Sequence, residues 1–382
     1  MLQYLLLRNC RRIDTLPKGI GRLRNLRCLD ISGSGISKVK WSFRGMEELT
    51  SMQGFPMGNN GLLQSLDLKF PKKLAVLRVE KLENVLNPSS ENHLRVEKYE
   101  LKELELCYSS NANPPLVPED RFNKLREVLD RFRPNKRLVR LKIENYYGKQ
   151  YPSWILMMPN LQRLHLQRCV WCKEMPSLGA LPQLKFLAVT GFDWLPSLGA
   201  ELRGDVDTKV AFPRLQQLHI VDMQRLERWS DLEVQDLPQL QELRLFGCQK
   251  LTTIPIMLKN STTLTSLEVD TRTENVIAGK LKGFAEGVVI NVDKKSQPLE
   301  SPDFVTPNAH PSQQGEDVEV ALATQTADCS ITEQPKGSWY SMKAFHFDRK
   351  KAAVFMLAAF AVYFVLYIVY VLLGTYVVPI RS

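Results

Sequence analysis

A short leucine motif, LxxLxLxx followed by Cys or another residue, recurs along roughly the first 270 residues of the chain. Several first leucines are 23 to 25 residues apart, and other intervals reach 27, 31 and 37 residues. An extra copy, Leu63-Leu66-Leu68, lies only 11 residues before the next, so we expect one of that pair to be incomplete. The ten principal copies are Leu2-Leu5-Leu7-Cys10, Leu26-Leu29-Ile31, Leu74-Leu77-Val79-Leu82, Leu101-Leu104-Leu106, Leu138-Leu141-Ile143, Leu161-Leu164-Leu166-Cys169, Leu184-Leu187-Val189-Phe192, Leu215-Leu218-Ile220-Met223, Leu240-Leu243-Leu245-Cys248 and Leu264-Leu267-Val269.

This periodicity predicts an α/β fold, a leucine-rich-repeat solenoid shaped as an irregular horseshoe. The central LxL of each copy alternates in and out as a short strand, and its leucines point into the core. Stacked copies form a parallel sheet on the concave side, because each repeat packs only on its neighbours. Leu16-Pro17, Met175-Pro176 and Ile254-Pro255 mark turns on the convex side, since proline cannot join a strand ladder.

The insertion between residues 109 and 137 predicts a loop and one convex-side helix. Three prolines lie in its first part, at positions 114, 115 and 118. Apolar residues then recur at helical spacing until Pro134 ends the pattern. The apolar positions are Phe122, Leu125, Val128, Leu129 and Phe132.

The chain carries a formal net charge of +10, which favours acidic partners or an anionic membrane surface. Its basic residues are scattered and accompany no nucleic-acid-binding signature, so we expect no nucleic-acid partner. The seven cysteines do not form a disulfide framework. Cys169 and Cys172 make a CxxC without a second pair at metal-ligand spacing. Cys10, Cys169 and Cys248 share one register of the repeat, which predicts small, buried, reduced thiols.

Several stretches of the repeat region resemble one family, the plant intracellular nucleotide-binding leucine-rich-repeat resistance proteins. They are DTLPKGIGRLRNLRCLDISGSGI (14–36), VEKLENV (79–85), LREVLDRFRPNKRLVRLKIENYYGKQYPSW (125–154), MPNLQRLHLQRCVWCKEMPSLGALPQLKFLAV (158–189), AFPRLQQLHIVDMQRLERW (211–229) and LPQLQELRLFGCQKLTTIP (237–255). The resemblance covers about residues 1–270 and is nearest to the coiled-coil class of cereal type.

The resemblance implies an immune role. Repeats in such receptors sense a pathogen effector, or a host protein that an effector has modified, and restrain an ATP-binding switch. This chain has no GxxxxGK[ST] phosphate loop and no upstream coiled-coil domain. Only the sensing or docking role is therefore carried over, and no cofactor is expected.

The C-terminal part predicts a tethered membrane anchor. Residues 271–295 form a possible terminal cap with one strand, and residues 296–351 read as a disordered linker with a basic juxtamembrane end. Residues 352–378 contain no charge and are long enough to span a bilayer, leaving a short tail at 379–382. More basic residues precede the span than follow it, which places the repeats in the cytosol. The basic residues Arg349, Lys350 and Lys351 are candidates for contact with anionic lipid.

The amino terminus, MLQYLLLRNCRR, lacks the features of a signal peptide and reads as a repeat entered abruptly. We therefore expect a fragment or truncated product. The missing signal peptide also disfavours a cell-surface receptor, so the anchor at the far end predicts a tail-anchored, single-pass membrane protein.

No combination of residues has the spacing of a catalytic triad or metal site, so we expect a binding protein rather than an enzyme. The five histidines read as solvated surface residues. Outward strand positions predict a basic concave strip that suits a flat protein epitope. Its members are Arg140, Lys142, Arg163, His165, Gln167, Lys185, Ala188, His219 and Arg244.

The leading hypothesis is a membrane-anchored defence protein that recognises a pathogen effector or a modified host protein through direct contact. The alternative is a membrane-tethered scaffold or adaptor, or an inactive receptor fragment, that kept the repeats without the sensing role. The sequence does not name the ligand, the membrane or the oligomeric state.

Overall fold

The computed structural model describes most of the repeat region, and all described residues belong to the first of two compact units, Met1–Pro302. The described residues are 2–37, 39, 41–57, 70–85, 96–109, 119–169, 171–204, 210–230, 232–284 and 287–293. The predicted linker at 296–351, the predicted span at 352–378 and the tail at 379–382 lie outside them. Within the described part, no helix combines the length and apolar character needed to cross a membrane.

Among the described residues, twelve parallel strands form the main sheet in the order β1-β2-β3-β4-β5-β6-β7-β8-β10-β12-β13-β14. A separate pair, β9 (Ser197–Leu198) and β11 (Arg228–Trp229), forms a small second sheet. The main strands are β1 Tyr4–Leu6, β2 Cys28–Asp30, β3 Ser51–Pro56, β4 Val76–Glu80, β5 Glu103–Cys107, β6 Arg140–Glu144, β7 Arg163–Gln167, β8 Phe186–Thr190, β10 Gln217–Val221, β12 Glu242–Phe246, β13 Ser266–Asp270 and β14 Val289–Asp293. The predicted parallel leucine-rich-repeat sheet is confirmed.

The register of the sheet stacks equivalent leucines on one another. Leu164 of β7 pairs with Leu141 on one side and Leu187 on the other. Each of these leucines is completely buried. Because side chains alternate along a strand, the residues between the leucines share the opposite face. The core therefore lies on one side of the main sheet, and a continuous row of non-leucine side chains lies on the other.

One strand of the sheet was not predicted. Strand β3 lies between β2 and β4, where the first leucines of consecutive principal copies, Leu26 and Leu74, are 48 residues apart. All six residues of β3 are buried. Met52 and Phe55 pair with Leu77 and Val79 of β4, and a register shift between them breaks the simple alternation. A leucine template therefore cannot detect this repeat. The additional copy predicted at Leu63-Leu66-Leu68 lies outside the described residues.

In the described part of the chain, several connections between strands contain short 3₁₀ helices, at Lys18–Arg22, Leu82–Asn84, Val96–Lys98, Ser153–Met157, Leu178–Ala180 and Ile256–Asn260. Pro17 and Pro255, predicted to mark turns, stand immediately before two of these helices. The insertion contains helix α1, Glu119–Arg131, as the apolar spacing predicted. Its apolar residues from Leu125 to Phe132 are buried in the core.

The predicted cap region contains both a helix and a strand. A short helix, α2 (Ala200–Arg203), occurs earlier, and helix α3 spans Thr271–Leu281. Asp270 caps α3 by accepting a hydrogen bond from the Thr273 backbone N–H at 3.2 Å. Strand β14 then pairs with β13, so the predicted single strand is present, while α3 was not predicted. All five residues of β14 are exposed.

A left-handed residue follows directly after many strands of the main sheet. Lys81, Asn145, Arg168 and Asp222 have φ values between 52° and 61°, and Gly191 and Gly247 have φ values of 69° and 64°. The next residue is buried in each case, as Cys169 and Cys248 illustrate. The predicted burial at this register is confirmed for these two cysteines, whereas Cys10 is only half-buried.

We predict that Gly247→Ala destabilises the protein by about 1–2 kcal/mol, the cost of a left-handed non-glycine residue. The new Cβ would also lie 2.5 Å from the Asp222 carboxylate. Gly279→Ala, in α3 with no atom within 4 Å of the added Cβ, is the matched control and should stabilise by about 0.5–1 kcal/mol. Urea unfolding measures both, and equal effects from the two variants would contradict the prediction.

Candidate protein-binding surface

The solvent side of the main sheet is formed by the first, third and fifth residues of each five-residue strand. We call this side, from β4 to β13, the concave surface. The register aligns the three positions into rows that cross the strands. The first row runs through Glu103, Arg140, Arg163, Phe186, Gln217 and Glu242. The middle row runs through Arg78, Glu105, Lys142, His165, Ala188, His219, Arg244 and Glu268.

Eight of the nine predicted site residues lie on this surface, on β6, β7, β8, β10 and β12. The exception is Lys185, which is exposed but precedes β8 by one residue. Phe186 takes the predicted place, since it pairs with Arg163 and Gln217. Aligning Leu184-x-x-Leu187 with Leu161-x-x-Leu164 reveals the correct position, because the residue just before the second leucine begins the strand. The placement of Lys185 was therefore wrong.

The surface is not the uniformly basic strip that was predicted, because carboxylates alternate with the cations. Arg140 Nη1 lies 3.1 Å from Glu103 Oε1, and Lys142 Nζ lies 3.0 Å from Glu144 Oε2. Burial by itself raises the pKa of Glu144, but the charges of Lys142 and Arg78 bring it below its usual value. The cations of β6 are thus largely neutralised, Arg140 by Glu103 of β5 and Lys142 by Glu144 of its own strand.

The same alternation occurs at the other end of the concave surface. Arg244 Nε lies 2.7 Å from a carboxylate oxygen of both Glu242 and Glu268, without the alignment of a good hydrogen bond. Glu242 also accepts a hydrogen bond from Gln217 Nε2 at 2.8 Å. These carboxylates were not predicted as site residues, although they fall on the same outward positions as the cations.

The two predicted histidines are buried, which corrects their interpretation as solvated surface groups. His165 and His219 are 7% and 3% exposed. Phe186 lies between them: its ring stacks on His165 with centroids 4.7 Å apart and meets His219 edge-on at 4.8 Å. His219 Nε2 is 3.2 Å from Glu242 Oε1. A large ring on the strand between them covers both imidazoles.

The environment keeps both imidazoles neutral at physiological pH. Burial, followed by the charges of Arg163 and Lys142, lowers the pKa of His165 to about 3. Burial and the charge of Arg244 lower the pKa of His219 to about 4, although Glu242 opposes this shift. Both side chains therefore contribute hydrogen-bonding and aromatic surface rather than charge.

The CxxC pair lies in the core. Cys172 Sγ donates to the Gly148 carbonyl at 3.2 Å, and burial raises the pKa of Cys169 to about 12. Metal binding and redox chemistry need the thiolate, which this environment disfavours. Among the described residues, no group of three or more His, Cys, Asp or Glu side chains is arranged to hold a metal ion.

The repeated LxL strands, the parallel register and the short convex connections define a leucine-rich-repeat protein. A sequence model described as "R13L1/DRL21 LRRs" matches residues 63–192. The chain is 31% identical over 205 residues to disease resistance RPP13-like protein 1 of Arabidopsis thaliana, covering 49% of this chain and 19% of that protein. It is 29% identical over 260 residues to disease resistance RPP8-like protein 4 of the same plant, covering 66% and 26%.

The repeat region is therefore related to those of plant disease resistance proteins, and the chain spans between a fifth and a quarter of these relatives. Among solved structures, the leucine-rich-repeat domain of APL1B has a TM-score of 0.39 at 15% identity, covering 75% of this chain and 80% of that chain. InlJ from Listeria monocytogenes has a TM-score of 0.34 at 15% identity, covering 76% and 62%.

We predict that, because of His165, the free energy of unfolding decreases as the pH is lowered below about 6.5, the pKa of a free histidine. Below that pH the unfolded chain binds a proton on this histidine, whereas the folded chain binds it only near pH 3. The contribution of neutral His165 to stability is therefore complete above pH 6.5 and declines as the pH falls from 6.5 to 3. From pH 7 to 5 the protein should lose about 1–2 kcal/mol more than His165→Gln. Urea unfolding at both pH values tests this, with Gln167→Asn as a non-titrating control; parallel losses in all three proteins would contradict it.

Proposed function

We propose that this chain is a defence-related recognition protein whose concave surface binds a pathogen effector or an effector-modified host protein. It acts by binding rather than by catalysis. The relation to plant disease resistance proteins supports the setting. The observation that carries the proposal is the concave surface itself, where large polar, charged and aromatic side chains cross neighbouring strands in fixed register. Such a rigid and extended surface suits a protein epitope.

The contacts within the surface support pre-organisation for binding. Arg140, Lys142 and Arg244 are held by carboxylates, and Phe186 packs against both histidines. Side chains that are already ordered lose less conformational entropy when a partner binds. A partner that matches this arrangement gains contacts at low cost.

We predict that the double substitution Arg140→Glu and Arg163→Glu reduces partner binding by at least about tenfold. Each substitution replaces a cation of the concave surface by an anion and so places negative charge beside the carboxylates already there. Arg133→Glu with Arg214→Glu is the matched control, because it changes the net charge equally at positions outside the concave surface. A two-hybrid screen against pathogen effectors and host proteins, followed by split-luciferase measurement in leaves, provides the readout.

Equal binding by the concave variant and the wild type would reject this surface as the recognition site. Partners that are the same in healthy and infected leaves, and that still depend on the concave surface, would support the scaffold alternative instead.

We also propose that residues 352–378 anchor the protein in a membrane with the repeats in the cytosol. The uncharged length of this segment and the basic residues before it support the proposal. The full chain should resist alkaline extraction from membranes, and deletion of 352–378 should release it. An amino-terminal tag should be digested by protease added outside sealed organelle vesicles; a protected tag would contradict the cytosolic orientation.

A further inference from the structure

Arg163 differs from the other arginines of the concave surface in its partners. Arg78, Arg140 and Arg244 each lie within 4 Å of at least one carboxylate. Among the described residues, Arg163 forms no such ion pair. Its guanidinium carbon instead lies 4.3 Å from the centroid of the Phe186 ring. A ring attracts a cation but offers no lone pairs to its N–H donors.

The neighbours of Arg163 compensate its charge only in part. Arg140 is its register partner on β6, and Phe186 is its partner on β8. Burial lowers the pKa of Arg163 and the like charge of Arg140 lowers it further, while the charge of Glu103 opposes the shift. His165, two residues along the same strand, stays neutral and adds no competing charge. The single carboxylate beside Arg140 is Glu103, on the strand farther from Arg163.

Two adjacent guanidinium groups with one carboxylate, on the far side of Arg140, favour a second anion. Guanidinium N–H donors match the oxygens of carboxylate and phosphate groups, often in pairs. The Phe186 ring forms an apolar wall on one side of Arg163, which limits water access and strengthens the interaction with a bound anion. The position lies on β7, between strands on both sides, where a partner on the concave surface would seat a central side chain.

We propose that Arg163, with Arg140 beside it and Phe186 against it, is the anchor for an anionic side chain of the protein partner. The shared chemistry is a carboxylate or a phosphate presented on a polypeptide. This inference rests on the proposed recognition function and specifies the chemistry of the partner. Arg163 supplies the paired donors, and Arg140 raises the local positive potential.

The test uses the full chain in detergent micelles and three fluorescent peptides that differ only at their central residues. These residues are glutamate, phosphoserine or glutamine on a Gly-Ser background. The glutamate or the phosphoserine peptide should bind, the glutamine peptide should bind at least about tenfold more weakly, and the stronger of the first two identifies the anion. Absence of binding by both anionic peptides would overturn the proposal.

The decisive comparison is Arg163→Gln against Arg214→Gln, which removes the same charge from an exposed arginine bound to Gln183. The first should weaken binding of the anionic peptide about tenfold, and the second should leave it within about twofold. Arg163→Lys, which keeps the charge but loses the paired donors, should be intermediate and guards against a folding defect. Equal weakening by Arg163→Gln and Arg214→Gln would indicate diffuse charge attraction and reject the anchor.

Failure of the Arg163 anchor can be distinguished from failure of the proposed recognition function. If an effector or host partner requires the concave surface but binds Arg163→Gln normally, the anchor is rejected while the function stands. If no partner requires the concave surface, the function itself is rejected.

Discussion

The fold depends on one constraint: every repeat must place its strand in parallel register with the strand before it. Only this register stacks Leu141, Leu164, Leu187 and Leu218 into one continuous core. A slip of one residue would turn all of these leucines toward solvent. A left-handed residue directly after several of the strands, such as Gly247, allows the chain to leave the sheet at the same point in those repeats. Asp270 connects two successive repeats, because its carboxylate accepts a hydrogen bond from the Gly247 N–H and also caps α3.

The same register generates the chemistry of the concave surface. Outward residues of adjacent strands lie about 4.8 Å apart, and every second residue of a strand also faces outward, so each charge interacts mainly with these two kinds of neighbour. Most cations thereby meet a carboxylate, as Arg244 meets Glu242 and Glu268. Next to Phe186, by contrast, the buried His165 is neutral and Arg163 contacts the aromatic ring instead of a carboxylate. Local composition on one strand therefore sets the electrostatics of the next.

Predictions from the sequence succeeded where the motif is regular and failed where it is not. The LxL copies from Leu138 to Leu267 predicted their strands, because alternating leucines allow a single burial pattern. Strand β3 was missed because Met52 and Phe55 replace the leucines and its register shifts between them. Lys185 was placed one residue away from the outward strand position, which Phe186 occupies, and it therefore does not belong to the concave surface.

The sequence by itself determined the repeat, the parallel sheet, the buried cysteine register and which strand positions face outward. These are periodic properties, which the spacing of apolar residues along one chain encodes directly. Only the tertiary structure decided which outward residues meet. The repeats differ in length, so contacts such as Arg163 with Phe186, or His219 with Glu242, depend on the alignment of strands that are more than 20 residues apart. Burial, protonation and the charge pairs between strands follow from that alignment, because each depends on distances between residues that are remote from one another in the sequence.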